Sequence, residues 1–338
     1  MRKLTLKAAS GMCEILVGEE LENLPDYASA PKTVVITDSN VKHLFAKKFP
    51  KGEIIEVPPG EKAKTLETVA KLYERFLELE LERGSLVVAI GGGAVCDVAG
   101  FASATYLRGL RTAFAPTTLL SQVDAAVGGK NGVNFRGYKN LVGTIRQPEL
   151  VLCDLSLLES LPRSEIRNGF AEIVKCAAIA DREMFEFIEE HAAEALSFKR
   201  TAIEKCVHGA LAVKVKAVEA DENESGERRK LNFGHTVGHA IEKVSGIAHG
   251  EAISIGMAAA AKLSVAKGKL GQKDADRLVA LLARIGLPTK LDFDKAAALD
   301  AVRKDKKRQD DAINFVLLEG IGKAVVEKVA LSELEAVI

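Results

Sequence analysis

Three of the chain's six histidines, His235, His239 and His249, fall within 15 residues. On a helix, His235 and His239 share one face. Neutral imidazole is a common ligand for zinc and other divalent cations. Spacing alone nominates His235 with His239 as the ligand pair, without choosing between that pair and His235 with His249; histidines that only pack a helix are the ordinary alternative. The HExxH pattern of a metalloprotease is absent, because Thr236 follows His235. Glu172 and Lys175 stand one helical turn apart. They read as an i,i+3 ion pair worth a few tenths of a kcal/mol; spacing alone does not derive a metal ligand there.

A second kind of chemistry is written in backbone. Gly91-Gly92-Gly93 follows the apolar run Leu86–Ile90. Glycines let the chain turn sharply and approach a phosphate, whose charge helix-terminal N–H groups can meet. The dinucleotide pattern GxGxxG fails as written, since Cys96 stands at the third glycine position. The loop therefore reads either as a nucleotide site or as a tight strand–helix turn. Asp38 ends an earlier strand, where a carboxylate accepts from ribose hydroxyls or simply caps the next helix. Residues 98–148 carry Arg108, Arg111, Lys130, Arg136, Lys139 and Arg146 against one acid, Asp124, a local charge of +5. Cations on Gly-rich backbone (Gly128, Gly129, Gly132) suit a small anion, phosphate above all; a solvated basic face is the plainer reading.

These residues need elements to hold them. Short apolar runs at 34–37, 54–57, 86–90, 112–115 and 150–153 predict strands. Residues 65–83 have helical spacing, with Gly84 as the expected stop. Strand–helix alternation predicts a doubly wound α/β domain over residues 1–155. From Ser164 onward helical periodicity dominates, at 164–220, 233–245, 250–268 and 272–285, with one short extended piece at 315–318. Residues 156–338 are therefore read as mainly helical. Two domains without a loose linker predict a cleft between them, a favoured ligand site.

Composition narrows the class. The 338 residues hold 47 basic and 47 acidic side chains, so net charge is zero. That excludes nucleic-acid binding by bulk charge and a polybasic membrane-surface protein. The longest apolar stretch, Ala252–Ala261, is too short to span a bilayer. Five scattered cysteines without a CxxC pair suit free thiols in a reducing compartment. A cytoplasmic protein is expected.

Taken together, ordered blocks along nearly the whole chain resemble the 3-dehydroquinate synthases of the sugar-phosphate cyclase group. In the first half they are Gly91-Gly-Gly-Ala-Val-Cys-Asp97, Ala104-Thr-Tyr-Leu-Arg-Gly109, Pro116 through Asp124, Val127 through Asn134 and Lys139-Asn-Leu-Val-Gly143. In the second they are Gly169-Phe-Ala-Glu-Ile-Val-Lys175, Asp221 through Gly226, Leu231 through His239, His249-Gly-Glu251 and Asp305-Lys-Lys307.

The resemblance implies an N-terminal Rossmann-like α/β domain and a mainly α-helical C-terminal domain. It implies NAD, one divalent metal (zinc, with cobalt as the alternative) and a small phosphorylated sugar-acid substrate, 3-deoxy-D-arabino-heptulosonate 7-phosphate. The implied activity is that of a phosphate-eliminating carbon–oxygen lyase of the shikimate route. Transient oxidation, phosphate elimination, re-reduction and intramolecular aldol closure would give 3-dehydroquinate. Neither nucleic acid nor membrane is implied, and a homodimer is expected. Carried over by motif, Glu172, His235 and His249 match metal-ligand positions. His239, Lys130, Asp124, Lys175, Arg228 and Glu224 match catalytic positions. Arg108, Lys139, Asn140, Lys214, Asn232 and Lys306 or Lys307 match substrate positions. Asp38, Asn40, Glu61, Lys64, Gly92, Gly93, Asp97, Thr117 and Thr118 match NAD-contacting positions. The chain departs from the family at Cys96 (usually Gly), at Asn131 (usually Thr) and at Ala125-Ala126, where small hydroxyl residues are common. Each keeps a small or polar side chain, so activity is expected to survive. The rival readings are another sugar-phosphate cyclase, a net oxidoreductase related to glycerol dehydrogenases, and a ligand-sensing protein on an inherited fold.

Overall fold

The computed structural model describes residues 1–291, 294–303, 308–309 and 312–335. The chain forms two compact units, Met1–Leu161 and Pro162–Ile338.

The first unit is built on a seven-stranded sheet. In chain order its strands are β1 (Arg2–Ala8), β2 (Gly11–Val17), β3 (Thr33–Asp38), β4 (Glu53–Val57), β5 (Leu86–Gly91), β6 (Arg111–Pro116) and β9 (Leu150–Cys153). In space they run β1-β2-β9-β6-β5-β3-β4. Every pair is parallel except the β1–β2 hairpin. All six residues of β5 are buried, because helices cover both faces of a parallel sheet. The helices are α1 (Leu24–Tyr27), α2 (Ser39–Phe45), α3 (Leu66–Glu78) and α4 (Gly93–Thr105). Thr65 caps α3, its hydroxyl accepting from Thr68 N at 3.1 Å. Val69, Leu72 and Phe76 give it a buried stripe. It stops before the expected Gly84: Glu80 takes a left-handed φ of 49° and Leu81 N donates to Phe76 O. A local reversal thus ends the helix without glycine.

A separate hairpin, β7 (Lys130–Phe135) and β8 (Tyr138–Ile145), completes this unit. Neither it nor the β1–β2 hairpin was legible from apolar runs. β7 reads KNGVNF, poor in strand formers, and β8 is largely exposed.

The second unit is mainly helical: α5 (Arg163–Ala180), α6 (Arg182–Leu196), α7 (Arg200–Ala220), α8 (His235–Ser245), α9 (His249–Ala266), α10 (Gln272–Ile285) and α11 (Lys295–Arg303). The single extended piece expected at 315–318 is instead part of a three-stranded antiparallel sheet. Its strands are β10 (Arg308–Gln309), β11 (Ala312–Gly320) and β12 (Lys323–Ala330), followed by α12 (Leu331–Glu335). β12 reads KAVVEKVA, five of its eight residues good helix formers; pairing with β11, which packs on α9, decides its state. All five cysteines are buried and unbridged. No helix among the described residues is long and apolar enough to cross a membrane. Lys306 and Lys307 lie outside the described residues, as does Asp305.

Candidate active site

In the first unit the chain leaves β3 for β4 on one side, then returns through β5 to the other side of β3. Strand order therefore reverses at the carboxyl ends of β3 and β5. Open α/β sheets bind ligands in the crevice at such a switch point. Asp38 closes β3 and Gly91–Gly93 follows β5, so both candidates stand at its mouth. Gly92 is the N-cap of α4, and no side chain caps that helix. Its first N–H groups are therefore offered to an anion. A β-carbon on Gly93 would lie 3.0 Å from Ala125 Cβ, and one on Gly92 3.4 Å from Thr118 Cγ2. Thr117 N donates to Gly91 O at 2.9 Å, which sets Thr117-Thr118 against the loop. This uncapped, side-chain-free turn fits the pyrophosphate of a dinucleotide. Cys96, one turn on, is fully buried with Sγ toward Gly91 O. It lies beneath the loop and does not narrow it. Burial raises its thiol pKa far above the usual range.

Asp38 is the helix cap that spacing also allowed: its Oδ1 accepts from Asn40 N at 2.9 Å and Val41 N at 3.1 Å. Asn40 is exposed beside it. The remaining NAD candidates form one network. Lys64, buried, donates to Asp97 Oδ2 at 2.6 Å and lies against Asn140 Oδ1. Asn140 N donates to Asn134 Oδ1 at 2.9 Å, and Asn134 Nδ2 to Glu61 Oε2 at 3.0 Å. Burial pushes the Asp97 carboxyl up to about 6 against the pull of Lys64; the charges of Glu61 and Asp124 add to the rise. Asn140 thus belongs to the same cluster as Lys64, a substrate candidate meeting a cofactor candidate.

The basic stretch divides between two uses. Arg111 makes a bidentate pair with Glu149 at 2.9 and 2.7 Å. Arg146 donates to Arg108 O and Leu110 O, its guanidinium filling the space a Gly109 side chain would need. These two cations hold the fold. Arg108, Lys130 and Lys139 are exposed, on the turn after α4, at the start of β7 and on β8. Leu107 and Arg108 both take left-handed φ, 50° and 64°, an uncommon backbone for non-glycine residues. Asn131 is turned inward: it donates to Gly129 O at 2.8 Å and Arg146 O at 3.0 Å. Its side chain occupies the space left by Gly100, whose β-carbon would fall 2.1 Å from Oδ1.

In the second unit the structure gathers Glu172 from α5, His235 from the start of α8 and His249 from the start of α9. One donor atom from each lies within 4.8 Å of the others. Nε2 of His235 is 3.7 Å from Glu172 Oε1, and Nε2 of His249 is 3.5 Å from it. His235 Nδ1 faces Phe233 O at 3.2 Å and His249 Nδ1 faces Glu242 Oε2 at 3.1 Å. A carbonyl and a carboxylate only accept, so both Nδ1 atoms carry the hydrogen. Both Nε2 atoms then converge on one buried carboxylate, Glu172. Two imidazole nitrogens and a carboxylate oxygen gathered at one point are a divalent-metal donor set, in which the cation takes the place of the proton that His249 holds without it. The residues therefore fit the metal. His239 is exposed and falls in a different group, with Glu242 and His249.

Lys175 pairs with Glu172 Oε2, both side chains buried. It is not the exposed i,i+3 pair that spacing alone suggests. Burial opposes the charge of Glu172, but the Lys175 ammonium outweighs it and holds the carboxyl well below its usual range. Burial, then the Lys175 charge, pushes His235 well down, leaving it neutral as a ligand must be. Burial also opposes protonation of His249, yet Glu172 and Glu242 outweigh it and raise its pKa to about 9.

The other candidates surround a turn after α7. Asp221 accepts from Ser225 N, Gly226 N and Arg228 N. Burial works against its charge, and these donors carry its carboxyl down to about 2. Arg228, buried, donates to Glu222 O at 2.6 Å, and Asn232 lies against Glu224 Oε1. Glu224 takes a φ of 59°. Lys214 is buried on α7. Sequence reasoning missed Asp221 as an organiser of this turn, and missed Asn168, whose Oδ1 accepts from Gly250 N beside His249. It also missed Glu242, which the His235, His239, Glu242 spacing (i, i+4, i+7) could have flagged.

A family profile described as 3-dehydroquinate synthase N-terminal matches residues 54–168, and its C-terminal counterpart matches 169–308. The 3-dehydroquinate synthase of Thermoanaerobacter pseudethanolicus is 41% identical over 327 residues, covering 93% of this chain and 91% of its own. Among solved structures, a 2-deoxy-scyllo-inosose synthase complexed with carbaglucose-6-phosphate, NAD+ and Co2+ has a TM-score of 0.90 at 29% identity, over 99% of both chains. The 2-epi-5-epi-valiolone synthase of Streptomyces hygroscopicus subsp. jinggangensis 5008, with NAD+ and Zn2+ bound, has a TM-score of 0.88 at 29% identity, over 100% of this chain and 98% of its own. Both halves of the sequence, and the fold that carries them, lead to one assignment: the chain belongs to the 3-dehydroquinate synthase family.

Proposed function

We propose that this chain is a 3-dehydroquinate synthase, a phosphate-eliminating lyase that converts 3-deoxy-D-arabino-heptulosonate 7-phosphate into 3-dehydroquinate and phosphate. The observation that carries this reading is the pairing, within one member of this family, of a dinucleotide-type switch point with a buried Glu–His–His donor set. When bound, NAD supplies a reversible hydride acceptor and the divalent cation supplies Lewis-acid polarisation of a substrate oxygen. The α4 N-terminus, Asp38 and the Lys64–Asp97 network hold NAD. Glu172, His235 and His249 hold the cation. Arg108, Lys130, Lys139, Asn140, Lys214, Arg228, Asn232 and Lys306 or Lys307 hold the substrate's phosphate and carboxylate, orienting a flexible molecule. Asp124 and Lys175 work beside these groups. His239 and Glu224 move protons. Five buried thiols suit a reducing cytoplasm. The functional unit is a homodimer, which light scattering of the purified chain tests.

A second reading is another sugar-phosphate cyclase, because both solved relatives above are of that kind. Identity favours the synthase, at 41% against 29%. Initial rates separate the two. The heptulosonate phosphate is expected to turn over faster than any hexose or heptulose phosphate lacking the carboxylate. A hexose phosphate turned over faster would overturn the proposal in favour of the second reading.

A further inference from the structure

We propose that Glu242 is a positioning residue for the cation: its carboxylate fixes the tautomer and orientation of His249 so that Nε2 points at the metal. This rests on the reading of Glu172, His235 and His249 as the ligands.

The two histidines differ in how they are held. Both are the first residue of their helix, after N-caps (Gly234 and Ala248) that make no side-chain cap hydrogen bond, but His235 is buried and its ring is oriented by a backbone group, the Phe233 carbonyl. The His249 ring is a quarter exposed; Glu251, accepting from Ala248 N at 3.2 Å, braces the start of α9 but does not touch that ring. Asn168 anchors the adjacent Gly250 N–H, which fixes the backbone but not the ring. Glu242, two turns along α8 from His235, supplies what is missing, with Oε2 at 3.1 Å from His249 Nδ1. Because a carboxylate only accepts, this contact forbids the tautomer with hydrogen on Nε2. It also makes the imidazole a stronger donor, as outer carboxylates do at metal centres.

His239, Glu242 and His249 could themselves hold a cation, since their donor atoms lie within 4.8 Å. Glu242 Oε2 and His249 Nδ1 are, however, already joined by the hydrogen bond, so that pair is committed to each other.

The test is Co2+ binding to the chelator-stripped full-length chain, read by competition with a metallochromic chelator and by the visible spectrum of bound Co2+. Glu242→Ala is expected to weaken binding roughly 10–100-fold and to shift the Co2+ bands. Thermal unfolding without metal reports whether the variant folds. Glu242→Gln, which keeps an acceptor oxygen but loses the charge, is expected to fall between Glu242→Ala and the parent. Glu172→Gln is expected to lose binding outright. Glu242→Ala binding within twofold of the parent, with an unshifted spectrum, overturns the proposal. Two Co2+ per parent chain and one per Glu242→Ala chain overturns it in favour of a second cation site. Glu172→Gln binding as tightly as the parent overturns the metal reading itself, and the proposal with it.

Discussion

The two halves of the chemistry are built by different means. In the first unit the anion site is backbone: a glycine turn at a strand end, a helix with no side-chain cap, and small neighbours. In the second it is side chains: a buried carboxylate, two imidazoles and a lysine brought from three helices. A backbone site follows from topology and tolerates side-chain change that points away from it. A side-chain site gathers charge in a buried place, so it depends on each member and on pH. Loss of one partner there leaves another charge uncompensated.

The contrast predicts effects of very different size. Glu172→Gln removes a ligand and the buried carboxylate that Lys175 pairs with. Metal affinity is expected to drop beyond the roughly 100-fold upper range for an outer carboxylate, with NAD affinity intact in an equilibrium titration. Comparable losses of both ligands would break the comparison.

A pH series comes next. Without metal, His249 holds a proton up to about 9, and a cation must displace it. Apparent Co2+ affinity should fall by about tenfold per unit as pH is lowered from about 9. NAD affinity should stay level between pH 9 and 7, because the raised carboxyl in that half, Asp97, titrates only near 6. The stability sign follows from the same raised value. The His249 contribution is full below its ordinary pKa near 6.5 and is lost as pH rises through about 9. The metal-free protein should therefore melt at lower temperature at pH 9 than at pH 6.5, and added metal should narrow the gap. A pH-independent Co2+ affinity would contradict a charge-built site.

Gly93→Val places a branched side chain at the α4 N-terminus, 3.0 Å from Ala125 at its first carbon. NAD affinity should fall at least about tenfold, or ~1.4 kcal/mol, with Co2+ affinity unchanged. The smallest effect is expected from Cys96→Ala. That thiol points under the loop, so NAD affinity should stay within twofold; a larger loss would show that the loop depends on what lies beneath it.

What the sequence made legible follows the same division. Strands at 34–37, 86–90 and 150–153 carry their own apolar signal, so the sheet and its glycine turn could be read locally. β7 and β12 could not, because KNGVNF and KAVVEKVA take their state from partners rather than from intrinsic preference. His spacing raised a metal site but did not choose between His239 and His249 as the second ligand. Only the convergence of α5, α8 and α9 separates them, and no local pattern encodes that. The departures at Cys96 and Asn131 are explained only by packing, one under the Gly91 carbonyl and the other in the space Gly100 leaves open.

A cyclase of this kind returns its hydride to the substrate. The direct measurement is phosphate release and absorbance at the NADH band, followed together after adding 3-deoxy-D-arabino-heptulosonate 7-phosphate to the metal-loaded chain with NAD. One phosphate per substrate consumed, 3-dehydroquinate as product and no net NADH are expected. NADH accumulating in step with substrate loss, or no phosphate released by metal-loaded protein, would contradict this reading.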